Sequence, residues 1–391
     1  MNQRASEKSS ASSWSESVSE WPTRALSDLI SLQRGYDLPT STRTAGTVPV
    51  VGSGGISGRH NEAREEGPGV VVGRAGASIG KPTLVKGPYW PLNTSLFVKD
   101  FKGNNPRWVY YLFEITDFTG FNSGGAQPML NRNYIAGLQV QTPEISEQRA
   151  IADVLGALDD KIAANDRALR LCVELSDAKF TQAVKNIKPG DRTFGDMAEV
   201  GGGGTPKTSV DEYWNGDIWW ATPTDVTALA GPYLFSTSRT ITPAGLSSCS
   251  SALYPKGSIL MTSRATIGAF AVTQLPVAVN QGFIVVNARD SRYQHWLFHE
   301  MRARTSEFIS HANGATFLEL SRGKFKQFSV RVPRADIAHG FSREVGAIHA
   351  AAAQMTVESR KAAEARDELL PLLMSGKIRV RDAERVVEGV V

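Results

Sequence analysis

The sequence predicts an α+β fold built twice within one chain. Three observations carry this: a series of short motifs that recurs at nearly constant spacing, two long stretches almost free of Gly and Pro, and Gly-bounded runs of β-branched and aromatic residues in the segments between them. The 391 residues exceed what one core usually organises, so more than one domain is expected. Hydrophobic residues at 41% and charged residues at 21% are ordinary for a globular protein and exclude a wholly disordered chain.

The repeat is read directly. Residues 69–85, GVVVGRAGASIGKPTLV, recur as GSILMTSRATIGAFAVT at 257–273, and aligning Gly80 with Gly268 gives an offset of 188. Asn93 of PLNTSLFV aligns with Asn280 of VAVNQGFIV at 187, and Pro143 of GLQVQTP with Pro333 of QFSVRVP at 190.

In chain order, residues 1–19 are Ser-rich and lack the apolar core of a signal peptide, so they are expected to form a disordered tail. Residues 20–143 form the first globular domain, with strands in VPVVGSGG, GVVVGRAG and SLFVKD and a helix over 106–115. Residues 144–187 hold no Pro and a single Gly, and Ile151, Leu155, Leu158, Ile162, Asn165, Leu169 and Cys172 follow alternating steps of four and three, the seam of a coiled coil. Residues 188–333 form the second globular domain, with strands in DIWWAT, GSILMTS and GFIVVNA and a helix over 293–310. Residues 334–380 form the second long helix, whose seam runs from Phe341 through Val345, Ile348, Ala352, Met355, Ser359, Ala362 and Arg366 to Leu369 before Pro371 interrupts. Residues 381–391 are expected to be a tail. The obvious partner for each exposed helical stripe is the other long helix.

Most candidate chemistry fails on context. Two cysteines, Cys172 and Cys249, make neither a disulfide framework nor a multi-cysteine zinc site, and the chain reads as intracellular, with no apolar run long enough to span a membrane. GASIGKP lacks the first Gly and the hydroxyl of a phosphate loop, and Gly201–Gly204 has no Lys beside it. The same segment matches a nucleophile elbow around Ser78 in letters only, because TLV continues as a strand and not as a helix. His295 and His299, spaced i, i+4, have no third metal ligand and read as surface or interface residues, while His60 beside Glu62 lacks a nucleophile.

What remains is basic side chains in Gly-rich loops interleaved with aromatics. These are Arg59, His60, Arg64, Arg74, Lys81 and Arg132 in the first half and Lys207, Arg239, Arg264, Arg322, Lys324 and Lys326 in the second. Such residues neutralise phosphates, and Arg also grips a guanine edge, so they form the candidate DNA-binding set. The net charge of +4 divides as +3 over residues 20–143, −2 over 144–187, +3 over 188–333 and −1 over 334–370. Two basic globular segments thus alternate with mildly acidic helical ones.

The series as a whole resembles the specificity subunit of a type I DNA restriction and modification system over about residues 20–380. WPTRALSDLISLQRG, VPVVGSGGISG, GVVVGRAGASIG and PYWPLNTSLFV resemble successive blocks of a target-recognition domain, and GGAQPMLNRNYIAGLQVQTPEISEQRAIADVLGALDDKIAAND its closing strand and spacer helix. FGDMAEVGGGGTPKT, DIWWATPTDV, TSRATIG, NGATFLELSRGKFKQFSVRVP and LLPLLMSGKIRV repeat the pattern. The Glu147–Gln148 pair typical of the family has no counterpart after Pro333, where the chain reads RADIAHGF. The resemblance implies two target-recognition domains separated by two long antiparallel coiled-coil helices with an internal pseudo-two-fold repeat, a cytoplasmic protein with no catalytic residue, metal or cofactor of its own. It further implies that the chain reads a bipartite, asymmetric site in double-stranded DNA and guides two adenine methyltransferase subunits, which bring S-adenosylmethionine and flip the target base, with ATP-dependent restriction subunits added in a nuclease complex. A self-contained methyltransferase, or a coiled-coil adaptor that does not touch DNA, are the competing readings.

Overall fold

The computed structural model describes residues 21–121, 129–314 and 318–391; the expected N-terminal tail lies outside them. The chain divides into two compact units, residues 1–162 with 360–391 and residues 163–359. The division cuts both long helices, Ile145–Val184 and Ala335–Met374, so each unit owns one globular domain and a segment of each helix.

In the first unit a four-stranded antiparallel sheet has the order Ser31–Arg34, Ser95–Asp100, Gly69–Gly73, Pro82–Val85. A smaller sheet places Val48–Gly52 between Gly55–His60, antiparallel, and Trp90–Pro91, parallel. The second unit repeats both. Ala198–Gly201, Phe283–Ala288, Ile259–Thr262 and Phe270–Thr273 take the same order, with Tyr233–Leu234 added parallel at the edge. Trp214–Ala221 likewise lies between Arg239–Ile241, antiparallel, and Val277–Val279, parallel. The central strands are buried on both faces and therefore read as continuous Val and Ile runs.

The helix expected over 106–115 spans Pro106–Ile115, with Pro at its first position and the Asn105 side chain accepting from the backbone N–H groups of Arg107 and Trp108. The helix expected over 293–310 is broken in two, Gln294–Ala303 and Thr305–Ser310, at Arg304. Pro371 does not end the second long helix, which continues to Met374 with Leu369, Leu373 and Met374 buried in the core of the first unit. The C-terminal residues expected as a tail form a helix over Val380–Glu388, and Ala383 and Val387 pack on the same core.

The seam residues face inward as their spacing requires. Ile151, Leu155 and Leu158 are buried in the first unit with Ala362 and Leu369, and Leu169 packs on Ala352 in the second. Asn165, the polar break, is buried and donates to the Met355 carbonyl (3.4 Å) and the Glu358 carboxylate (3.3 Å). Lys179 pairs with Glu344, so within this unit the helix segments run in opposite directions.

Each unit joins its globular domain to the helices through equivalent residues. Trp108 and Trp296 are both fully buried, Arg107 lies over Gly156 and His295 over Gly346, and Tyr111 donates to Asp159 (2.5 Å) where His299 meets His349 (2.9 Å). The chemistry differs between the two. In the first unit Gln148 is buried and bonds Asn104, the Asn105 N–H and the Pro143 carbonyl at 2.8–3.0 Å, while Glu147 accepts from the Trp21 indole. In the second, Ala338 fills the place of Gln148, and the Tyr293 hydroxyl reaches the Pro333 carbonyl (3.3 Å).

His295 and His299, expected at a surface or interface, lie at the interface between the globular domain and the long helices, and His299 is buried there in a relay. Asp177 can only accept, so His299 donates to it from Nδ1 (2.7 Å); His349 then donates from Nε2 to His299 Nε2, and the Tyr233 hydroxyl donates to His349 Nδ1 (2.8 Å). This order holds only with both imidazoles neutral. Burial, aided by His299 and His295, lowers His349 from 6.5 to about 3, and burial also lowers His299 against the pull of Asp177. The unfolded chain therefore takes up protons that the folded unit refuses. Stability of the second unit should fall as pH drops below 6.5, by up to about 1.4 kcal/mol per pH unit from His349. Urea midpoints followed by tryptophan fluorescence between pH 7 and 4.5 check this, and a flat profile would contradict it.

Candidate nucleic-acid interface

The basic residues singled out from the sequence fall into two groups in each unit. One group lies on the small sheet. In the first unit Arg64 stands over Trp90 (5.0 Å) and Tyr36 (5.6 Å), and Arg59 is exposed, its guanidinium donating to the Thr47 carbonyl (2.6 Å). His60 is buried instead, its ring edge-on to Trp90 and Nδ1 accepting from the Thr44 N–H (3.0 Å), so it braces the loop from within. In the second unit Arg239 stacks on Trp214 (3.5 Å), whose indole donates to the carbonyl of the exposed Lys207 (3.2 Å). Stacking holds a guanidinium flat and leaves donors free.

The other group surrounds the turn after the first strand of the repeated motif, Gly69–Gly73 or Ile259–Thr262. Arg74 is half-buried; its N–H donates to the Thr94 carbonyl (3.1 Å) and its carbonyl accepts from Leu130 (2.9 Å). Burial and then the neighbouring Arg34 lower its pKa. Ser263 repeats both backbone bonds, to Gly282 (2.8 Å) and from Leu320 (2.9 Å). The next residue bridges in turn to Met129 or Glu319, so Arg264 occupies the place of Ala75, and Ala265 that of Gly76. Both of the latter have positive φ, 75° for Gly76 and 58° for Ala265. The alignment drawn from the letters, which set Arg264 against Gly76, is thus one residue out of register here. A turn over Gly76–Ser78 leads into the strand Pro82–Val85, the continuation that excludes a nucleophile elbow.

Arg132 and Arg322 are equivalent, each opening a short helix behind a side-chain cap from Asn131 or Ser321. Arg132 reaches the Leu32 carbonyl (3.4 Å), and Arg322 lies along Gly202, where a Cβ would stand 2.9 Å from its Cδ. Arg264, Arg322 and Lys326 line one cleft of about 580 Å3, and Lys324 is exposed on the same short helix. Lys81 is exposed on a separate cleft with Phe113 and Phe118.

Two polar pairs at these loops were not singled out in the sequence. Asn93 donates its amide to the Asp37 carboxylate, and Thr205 donates its hydroxyl to Gln281 (2.7 Å). The signal was close at hand, since the letters set Asn93 against Asn280; the structure pairs it with Gln281. Among the described residues no group of three or more His, Cys, Asp or Glu is placed to hold a metal ion, and no helix is long and apolar enough to cross a membrane.

A duplicated mixed fold with an Arg-and-aromatic face and a basic loop cluster in each copy is the form of a tandem DNA specificity protein. The family described as type I restriction modification DNA specificity domain matches residues 18–170 and again 189–343, and the chain belongs to it. Over 152 residues it is 38% identical to the type I restriction enzyme MjaIX specificity subunit of Methanocaldococcus jannaschii, covering 38% of this chain and 34% of that protein. Over 190 residues it is 24% identical to the HindI specificity subunit of Haemophilus influenzae, covering 48% and 41%. The matched stretches thus span well under half of these curated relatives. The crystal structure of the S subunit of a type I restriction-modification system from M. genitalium matches with a TM-score of 0.64 at 15% identity, over 90% of this chain and 96% of that one, a likeness of fold.

Arg264 pairs with Glu319 (2.8 Å) with both side chains 44% exposed. An ion pair so placed contributes little, and Glu319→Gln should change unfolding stability by less than about 1 kcal/mol in urea. A loss above that would make Arg264 a structural residue.

Proposed function

We propose that this chain is the DNA-reading subunit of a type I modification complex, in which each globular domain reads one half of a bipartite, asymmetric target. The observation that carries this reading is the pairing of one repeated scaffold with unlike loop side chains: Arg74 where the second unit has Ser263, and Arg264 where the first has Ala75. A two-fold dimer of identical chains suits a palindrome, whereas a tandem repeat with diverged loops suits two different half-sites. The stacked Arg64 and Arg239, with Arg59, Arg132, Lys207, Arg322, Lys324 and Lys326, supply phosphate contacts that set register, and loop side chains supply base readout.

The chain supplies recognition and no bond-making step. Two methyltransferase subunits bound to the long helices would methylate adenine with S-adenosylmethionine, and ATP-dependent restriction subunits would add cleavage; the complex would work on double-stranded DNA in the cytoplasm. The long helices act as the ruler between half-sites.

Arg264→Ala or Lys324→Ala in the complex should lower affinity, with the slope of log K against log salt reduced by about one per phosphate contact removed, and should leave the preference of the other half-site intact. Relaxation of both half-sites together, measured by selection from randomised DNA, would contradict separate reading. Insertion of one heptad into both long helices, after Asn165 and after Glu358, adds about 10.5 Å and should lengthen the tolerated spacer by about three base pairs. Mapping of methylated adenines checks this, and an unchanged spacer would rule out the ruler.

A further inference from the structure

We infer that Asn93 and Gln281 are the equivalent base-reading side chains of the two units, and that Asp37 sets the direction in which Asn93 faces while Thr205 restrains Gln281. The inference rests on the DNA-reading function proposed above and adds the residues that determine specificity.

The equivalence comes from backbone register and not from the letters. Leu92 N–H donates to Val51 and Asn280 N–H to Ala221, each continuing the parallel pairing of the small sheet, Val51 with Pro91 and Ala221 with Val279. On the other side, Thr94 accepts from Arg74 as Gly282 accepts from Ser263. Asn93 and Gln281 each fall between these two fixed points. Their partners are equivalent too. Gln33 pairs with Phe97 and Gly201 with Val285 in the first strand of each large sheet, and Asp37 and Thr205 each lie four residues further on.

Each amide therefore sits at a crossing of the two sheets, on a backbone held by hydrogen bonds from both, with its side chain anchored by a loop that leaves the sheet edge. Gln281 is exposed and shares its cleft with Ser263, Arg264, Arg322 and Lys326. Asn93 is half-buried; Arg34 donates to its backbone carbonyl (3.4 Å) and stands 3.9 Å from Asp37. Basic groups thus flank both amides without bonding the amide side chains.

Chemistry argues for a base and against a phosphate as what these amides meet. A phosphate only accepts, so an amide that serves it uses its NH2 alone and leaves its carbonyl oxygen idle. A base edge places donor and acceptor in a set order, and a carboxamide matches the N6 and N7 positions of adenine only when it is turned the right way. Asp37 accepts only, so the Asn93 NH2 must face it, leaving Oδ1 and one N–H for a partner. The Thr205 hydroxyl both donates and accepts, so it restrains Gln281 and permits either face. The anchors differ where the two half-sites differ, while the place of the amide stays the same.

The test uses the full chain purified with its methyltransferase subunits and a randomised duplex library, read by sequencing the bound and the methylated fractions. Absence of any preference in the unaltered complex overturns the functional reading, and it is distinguishable from a failure of the base-reading assignment, which shows only in the variants. Given a bipartite preference, Asn93→Ala and Gln281→Ala should each weaken discrimination about tenfold at one or two base pairs of a single half-site, a different half-site for each. Gln281→Glu keeps the size and the Thr205 bond but loses the donor, and should shift the preferred base from adenine toward the amino group of cytosine. Asp37→Asn releases the commitment of Asn93, so preference at its base should relax while total affinity stays within about twofold. Loss of affinity with unchanged base preference in the alanine variants would make these residues phosphate contacts. That result, or unaltered preference in Gln281→Glu, overturns the inference.

Discussion

A long helix that buries one stripe against a partner helix packs most closely on its own globular domain where it carries a glycine. Gly156 and Gly346 stand at that point in the two units. A Cβ on Gly156 would lie 2.3 Å from the Arg107 guanidinium, and one on Gly346 3.2 Å from the His295 ring. The buried Trp108 or Trp296 follows one residue later, and one turn beyond each comes a polar contact to the long helix, Tyr111 with Asp159 or His299 with His349. The sheets, and through them the loops that face DNA in our reading, are carried on this contact.

The two copies solve the same packing problem with different electrostatics. The first unit uses ion pairs: Arg366 with Asp159, and Arg107 and Lys86 with Asp160, with hydrogen bonds from Arg107 and then Lys86 pulling the Asp160 carboxyl down to about 2. The second uses neutral imidazoles between Tyr233 and Asp177, and a fully buried Glu300 held by Arg304 and Arg331. A buried carboxylate so paired adds little net stability, but removing either partner leaves an uncompensated charge, so the pairing holds the Gln294–Ala303 helix in one place.

Much of this was legible in the letters because periodicity and repetition are local or nearly so. The seam residues from Ile151 to Leu169 face inward as their steps of four and three require, and the helix over Pro106–Ile115 begins where Asn-Pro signals it. Pro371 misled because a proline in a helix loses one hydrogen bond, which the burial of Leu369, Leu373 and Met374 outweighs. The C-terminal helix was missed because its buried face is only Ala383 and Val387. The i, i+4 spacing of the histidines told only that two rings share a face, not that the face meets Asp177 and His349, which are distant in sequence. The slip at Asn93 arose because identical letters, Asn with Asn, masked the register, and the slip at Gly76 because the offset of Gly80 with Gly268 was carried back across a loop one residue shorter; only backbone bonding reveals either.

The first unit draws its core from both ends of the chain. Leu26, Val70 and Trp108 pack in one cluster with Leu373, Ile378, Ala383 and Val387. The second unit is contiguous, residues 163–359. Synthesis runs from the N-terminus, so the unit begun first is finished last: the second has its full sequence while the first still waits for its closing helix. During that interval the apolar faces of Val70 and Leu155 lack the final covering, and a ribosome that stops early leaves one unit whole and the other open. The duplication that gives two units thus also gives them an unequal order of completion, with the burden of late closure on the one that begins the chain.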